Sequence, residues 1–148
     1  MDLGRLLHLD RWDSTSLQKE FIWGLFYKED QSQYEGNKLN MYINPVRKGD
    51  GYPTNVDELI KWDTDHFKSK NPALIVTYYR DLPLGDRNSA KVYQFDDSTR
   101  GYYMLYGYTT ESNCSFVFVL IARSKQERAD CEKAYAELLS SFIYIEKK

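Results

Sequence analysis

The clearest pattern of hydrophobic positions covers residues 114–122, CSFVFVLIA, where apolar side chains occupy both faces of an extended segment. Such a strand is typical of a sheet that is covered on both sides. A capping box at Ser124 and Glu127 follows, and apolar residues then recur at helical spacing. The pattern therefore predicts a buried strand followed by an amphipathic helix. The apolar face of this helix comprises Cys131, Ala134, Tyr135, Leu138, Leu139 and Phe142.

A second helix is predicted in the middle of the chain. Asn55 and Glu58 fit a capping box at its start, and a register one residue earlier is also open. Pro72 disfavours a helical conformation at the residue before it, so the helix should end near Lys70. One face of this helix is apolar, with Val56, Leu59, Ile60 and Phe67.

Several other segments have the alternation or the flanking turn residues of β-strands. Two of them, 21–27 and 38–46, are predicted to form an antiparallel hairpin. Pro83 and Gly85 predict a turn over 81–88. The further predicted strands are 5–9, 73–80, 90–95 and 102–110, and residues 142–145 are open between a short strand and coil.

These elements predict an α/β fold of the α+β type. Most strand connections are short, which favours antiparallel pairing. Helices at two separate places in the chain can cover opposite faces of one sheet. We therefore expect a three-layer α/β/α sandwich with a central, mostly antiparallel sheet of about six to seven strands.

Composition narrows the class of protein. A chain of 148 residues fits a single domain, 1–148, with a net charge of −2 and dispersed basic residues. That charge pattern argues against nucleic-acid binding. No apolar run of transmembrane length is present, and residues 1–12 lack the apolar stretch of a secretory signal. We expect a soluble protein, either cytoplasmic or a secreted or lipoprotein domain whose signal has been removed.

The two cysteines, Cys114 and Cys131, are predicted to be separate thiols. One opens the buried strand and the other lies early in the helix that returns along it. Strand and helix rises place their sulfurs roughly 15–20 Å apart. A disulfide requires Cα atoms within about 7 Å.

Tyrosine is the one compositional excess, with 13 residues. Along 102–110 the side chains at 102, 104, 106 and 108 are predicted to share one face of the strand. Tyrosine is enriched at binding hot spots, although packing beneath a helix is the alternative explanation for each ring. The candidate binding patch consists of Tyr78, Tyr102, Tyr106 and Tyr108.

No arrangement of residues predicts catalysis, a metal site or a cofactor. His8 and His66 are the only histidines, and they fall in different elements without ligand spacing to each other. Nucleophile elbows and glycine-rich phosphate loops are absent. Asp63 lies near the apolar face of the first helix. A buried carboxylate there would have a raised pKa and could mark a site, whereas a position at the helix margin would let it meet solvent or a lysine.

The layout resembles the Mog/PsbP-like superfamily. The resemblance covers roughly residues 20–145 and rests on NMYINPV at 40–46, NVDEL at 55–59, AKVY at 90–93, FVFVL at 116–120 and SFIY at 141–144. It implies an α/β/α sandwich in a functionally diverse group in which most members are binding modules rather than enzymes. None of these segments is a catalytic fingerprint, so no residue role is carried over.

The leading hypothesis is therefore a non-enzymatic binding or accessory module that recognises a protein or peptide partner. One alternative is a small-ligand-binding or enzymatic domain that uses a tyrosine-lined sheet face. Another is an effector-chaperone or immunity protein. The sequence leaves the oligomeric state open.

Overall fold

The computed structural model describes residues 24–27, 40–85 and 88–144, which form an α+β fold. Its sheet is antiparallel throughout, in the spatial order β1-β2-β6-β5-β4-β3. The strands are β1 (Gly24–Tyr27), β2 (Asn40–Arg47), β3 (Ile75–Leu84), β4 (Asn88–Asp97), β5 (Tyr102–Thr110) and β6 (Cys114–Ala122). Two helices accompany them, α1 (Val56–Lys70) and α2 (Lys125–Ser140).

The expected six to seven strands overstate the number of full-length strands. Five strands of eight to ten residues, β2 to β6, carry the sheet. The four-residue β1 adds only a short antiparallel pairing to β2, over Gly24 to Tyr27. The segment 142–144 is not a strand, and the Phe142 ring packs edge to face against Phe118. The strand predicted at 5–9 lies outside the described residues.

The turn predicted over 81–88 is wrong in its first half. β3 continues through Pro83, which pairs with Ser89 of β4. A proline can be accommodated there because β3 is the outermost strand on its side of the sheet. On an edge strand, a residue without an N–H can stand where no neighbouring strand needs that hydrogen bond. Burial of Leu82 and Leu84 against α2 favours the longer strand.

Both predicted helix starts are confirmed. The Asn55 side chain accepts a hydrogen bond from the Glu58 amide at 2.9 Å, so the capping register is the one that begins at Asn55. Ser124 likewise caps α2 through the Glu127 amide, and the Glu127 carboxylate accepts from the Arg123 amide at 2.7 Å. These bonds satisfy amides that would otherwise lack partners in the first turn of each helix.

Two hydrophobic clusters lie on opposite faces of the sheet. Alternation along β5 assigns Leu105 to the cluster under α2, and Met104 and Tyr106 to the cluster under α1. Alternation along β6 does the same for Phe118 and Val117. The double-sided apolar pattern of residues 114–122 is therefore explained by two hydrophobic clusters, each of which takes alternate side chains of β6.

The predicted apolar face of α2 is also confirmed. Cys131, Tyr135, Leu138 and Leu139 are buried, and Ala134 and Phe142 pack against the same cluster. Cys131 does not form a disulfide with Cys114, which lies at the start of β6 and donates to the Val46 carbonyl. The expectation of two thiols rather than a disulfide therefore holds.

Candidate functional site

Tyrosines form a row across the face of the sheet that α1 covers. In the strand register, Tyr78 of β3 lies opposite Tyr93 of β4, and Tyr93 lies opposite Tyr106 of β5. The Tyr78 and Tyr93 rings meet edge to face with centroids 5.4 Å apart. Tyr93 also meets Tyr108 at 6.1 Å. Such contacts between neighbouring strands stabilise a sheet and keep the rings in fixed orientations.

Exposure changes sharply along this row. Tyr78 is 51% exposed at the edge of the sheet, whereas Tyr106 is 6% exposed and Tyr108 is fully buried beneath α1. The four tyrosines of the candidate patch do not form one exposed surface. Tyr106 and Tyr108 contribute to the core, and Tyr78 is the member of the row that a partner can reach.

Tyr102, the fourth candidate, lies apart at the start of β5. Its ring is approached by the guanidinium of Arg123 at 4.5 Å and by that of Arg100 at 5.7 Å. Arg100 is also held by Asp97, with Nε to Oδ2 at 2.6 Å. The pKa of the Asp97 carboxyl is lowered, because the bonds from Arg100 outweigh the opposing effect of burial. These contacts build the β4–β5 corner and account for Tyr102 without a ligand.

Asp63 lies on the sheet-facing side of α1. The Tyr108 hydroxyl donates to Asp63 Oδ2 at 2.7 Å. Burial raises the pKa of the Asp63 carboxyl, and the bond from Tyr108 and the nearby His66 oppose that rise. Burial, with the negative charge of Asp63, raises the pKa of the Tyr108 phenol well above its ordinary value. Asp63 is half-buried and so lies between the two alternatives that the sequence left open, with a tyrosine rather than a lysine as its polar partner.

This polar pair has little access to a substrate. Tyr108 is fully buried, and its hydroxyl is already committed to the Asp63 carboxylate. The phenols of Tyr42 and Tyr106 bond to each other on the same face of the sheet, and burial raises the pKa of both. The arrangement satisfies polar groups between helix and sheet, which is the ordinary requirement for buried hydroxyls.

An open groove of about 380 Å³ lies along α1, next to the outer strand β3 and its neighbour β4. Its apolar lining is supplied by Ile60, Val76 and Tyr93. Thr64 also lines it, and within the described part of the chain the buried Thr64 Oγ1 has no hydrogen-bond partner. The charged residues of the groove are Asp57, Lys61, Asp65 and Lys68.

The groove adjoins the exposed edge of β3. Ile75 is 62% exposed, and Tyr78 lies three residues further along the strand. The Tyr78 hydroxyl donates to Asp81 at 3.0 Å, which fixes the ring beside the groove. Sequence reasoning missed Ile75, Val76 and Thr64. The segment 73–80 is apolar on both faces, and such a pattern does not distinguish an edge strand from a central one.

Among residues 24–27, 40–85 and 88–144, no group of three His, Cys, Asp or Glu side chains is placed to hold a metal ion. His66 is exposed on α1, and its ring meets Phe67 edge to face. His8 lies outside the described residues. No helix in the described ranges is long and apolar enough to cross a membrane.

Comparison with known proteins supports the fold alone. No protein-family model matches the chain, and no curated protein matches it in sequence. The crystal structure of PA94 from Pseudomonas aeruginosa, a protein of unknown function described as a candidate regulator, is similar, with a TM-score of 0.55. The similarity covers 93% of this chain and 89% of PA94 at 8% sequence identity. At that identity the likeness concerns architecture and not activity.

Proposed function

We propose that this protein is a non-enzymatic binding module that recognises a protein or peptide partner at the outer edge of its sheet. The observation that carries the proposal is the exposure of two large apolar side chains, Ile75 and Tyr78, within four residues of edge strand β3. The two side chains lie on opposite faces of the strand, so they expose apolar surface on both sides of the sheet edge. Exposed apolar surface of this kind is typical of interaction sites.

The tyrosine row strengthens this location. Tyr78 is held by Asp81 and by the ring of Tyr93, so it loses little conformational freedom when a partner binds. A rigid aromatic side chain with an apolar body and a polar tip is well suited to be an interface anchor. A role as a regulator, the description that PA94 carries, is compatible with a protein that acts by binding.

The small-ligand or enzymatic alternative has less support. It requires a cavity lined by the tyrosines of the sheet face, together with a perturbed acidic group. The perturbed group is present in Asp63, but Tyr106 and Tyr108 are packed beneath α1 rather than around a cavity. A role as an effector chaperone or immunity protein is a special case of partner binding, and genomic neighbourhood would test it.

The arrangement that presents this edge is proposed to be a three-layer α/β/α sandwich of the Mog/PsbP-like kind. Support comes from the two hydrophobic clusters, in which Leu59 of α1 and Leu138 of α2 pack against different faces of the sheet. An experimental structure of the full chain would test the layer order.

Site-directed photo-crosslinking in the native organism tests the binding function. A photoreactive amino acid at position 75 or 78 should capture a defined partner. The matched control is position 143, because Ile143 is 77% exposed at a different place in the fold. Capture of the same set of proteins at all three positions, or of none at 75 and 78, would contradict the proposal.

A further inference from the structure

We infer that the partner is an extended apolar peptide segment that pairs with β3 as an additional strand. This inference rests on the proposed binding function and specifies the partner and its mode of docking. The peptide backbone would pair with residues 75–78, and one of its side chains would enter the groove beneath α1.

The backbone of β3 provides the first argument. β3 is the last strand in the sheet order, and within the described ranges no element pairs with its outer side. On an edge strand, alternate residues direct their N–H and C=O groups outward, where another extended chain can pair with them. A partner that satisfies these groups therefore has an extended backbone, as in other cases of recognition by strand addition.

Side chains on β3 define the character of the partner. Ile75 lies opposite Asp96, whose carboxylate pairs with Arg128 of α2, so Ile75 is on the α2 face. Val76 packs with the cluster beneath α1, and Tyr78 shares that face. A strand added beside β3 would therefore have apolar neighbours on both faces of the sheet, Ile75 on one and Val76 and Tyr78 on the other. A run of about four successive apolar residues fits this surface better than an alternating apolar and polar segment.

The charges of the groove favour the same class of partner. Lys61 and Asp65 pair with each other at 2.5 Å, and Asp57 pairs with Lys91 at 2.9 Å. Three of the four charged groove residues are paired in this way, and Lys68 is the fourth. The apolar recognition surface of the groove consists of Ile60, Val76 and Tyr93. An aliphatic or aromatic side chain of the peptide is expected there.

The length of the docking segment is limited by the strand itself. The register of β3 against β4 shifts between Tyr78 and Arg80, which marks a bulge. Further along, Arg80 is paired with Glu132 of α2 at 2.9 Å, and Pro83 has no N–H to offer. Bulges, charges and prolines are common means of protecting sheet edges. Residues 75–78 precede the bulge, the charged residue and the proline, so pairing with a peptide is expected to be limited to them.

The probe is a peptide selected for binding to the full 148-residue chain. It comes from a displayed library of random peptides of about twelve residues. The enriched peptides should share an apolar run and bind with slowed amide hydrogen exchange over residues 75–78. Ile75→Lys and Tyr78→Lys should each weaken the dissociation constant by about tenfold or more, because a lysine at the edge opposes strand addition. Ile143→Lys is the matched control and should change it by less than about twofold.

Three results would overturn strand addition. One is the enrichment of no peptide. Another is protection from exchange at a site other than β3, or equal sensitivity to Ile143→Lys. The third is a dimer in sedimentation velocity that Ile75→Lys dissociates, because the occupant would then be a second copy of this chain. Crosslinking to a partner at position 75 or 78 could still succeed in each case, so failure of this mode is distinguishable from failure of the binding function.

Discussion

The Tyr108 hydroxyl donates a 2.7 Å hydrogen bond to Asp63 and so joins the centre of the sheet to the helix that covers it. The carboxylate is half-buried by the packing of α1, and the phenol is fully buried. The bond offsets part of the cost of that burial, and the stability of the protein should therefore depend on the protonation of Asp63.

Replacement of Asp63 by Asn should stabilise the protein at pH 7 and reduce the pH dependence of its unfolding. The pKa of Asp63 is raised by burial above its ordinary value of 3.8, so the folded state binds this proton more tightly than the unfolded chain does. The native protein then gains stability from Asp63 as the pH falls from above its folded pKa towards 3.8, and the Asp63→Asn variant does not. Urea unfolding at several pH values would measure the difference.

The control for this prediction is Tyr108→Phe. Loss of the hydroxyl removes the bond that lowers the pKa of Asp63, so that pKa should rise further in a carboxyl NMR titration. A stability difference between the native protein and Asp63→Asn that grows as the pH falls would contradict the predicted sign.

Gly107→Ala should destabilise the protein by about 1–3 kcal/mol through overpacking. A Cβ atom at this position would lie 2.6 Å from the Tyr135 hydroxyl, which is fixed by its 2.8 Å bond to the Phe118 carbonyl. Tyr135→Phe removes that hydroxyl, and alone it should cost about 1 kcal/mol for the lost bond.

The double variant tests whether the cost of Gly107→Ala comes from the steric contact with Tyr135. Gly107→Ala combined with Tyr135→Phe should be less destabilised than the sum of the two single changes, as measured by chemical denaturation. Additive losses would show that the contact with Tyr135 does not account for the glycine.

Thr64→Val should stabilise the protein by about 1 kcal/mol, because the buried Thr64 hydroxyl lacks a hydrogen-bond partner among the described residues. The two residues have similar shapes and helix propensities, so the change isolates the hydroxyl group. Thr64→Ser retains the hydroxyl and is the control that should give no gain. A loss of stability in Thr64→Val would indicate that the hydroxyl is satisfied in solution.

Leu138→Ala should cost about 2–5 kcal/mol in the free energy of unfolding, since Leu138 is fully packed between α2 and the sheet. Lys133→Ala on the exposed side of the same helix is the control and should change stability by less than about 0.5 kcal/mol. Equal effects of the two changes would mean that α2 does not pack as described.

Local features of the fold were predictable because they depend on short-range chemistry. The capping boxes at Asn55 and Ser124 are read directly from residue types at fixed spacing. The alternation within Tyr102–Thr110 likewise predicted which side chains share a face. The place of Asp63 near the apolar face of α1 was likewise predictable from helical spacing.

The same patterns could not separate surface from core among the tyrosines. Tyr78 and Tyr106 occupy equivalent positions in apolar strands, yet one lies at the edge of the sheet and the other near its centre. Strand order depends on pairing between distant segments, and alternation along a single strand contains no information about it. The extension of β3 through Pro83 was missed for the same reason, since an edge strand accommodates a proline more easily than a central one.

The sequence by itself determined the helices, the approximate positions of the main strands and the need to cover both faces of β6, since these follow from hydrophobic periodicity and capping chemistry. Tertiary structure alone decided that β3 is an outer strand, that Tyr106 and Tyr108 lie in the core, and that Ile75 and Tyr78 are exposed at the edge of the sheet. The physical reason is that exposure depends on which elements pack around a residue. That packing is settled by contacts between segments distant in the chain.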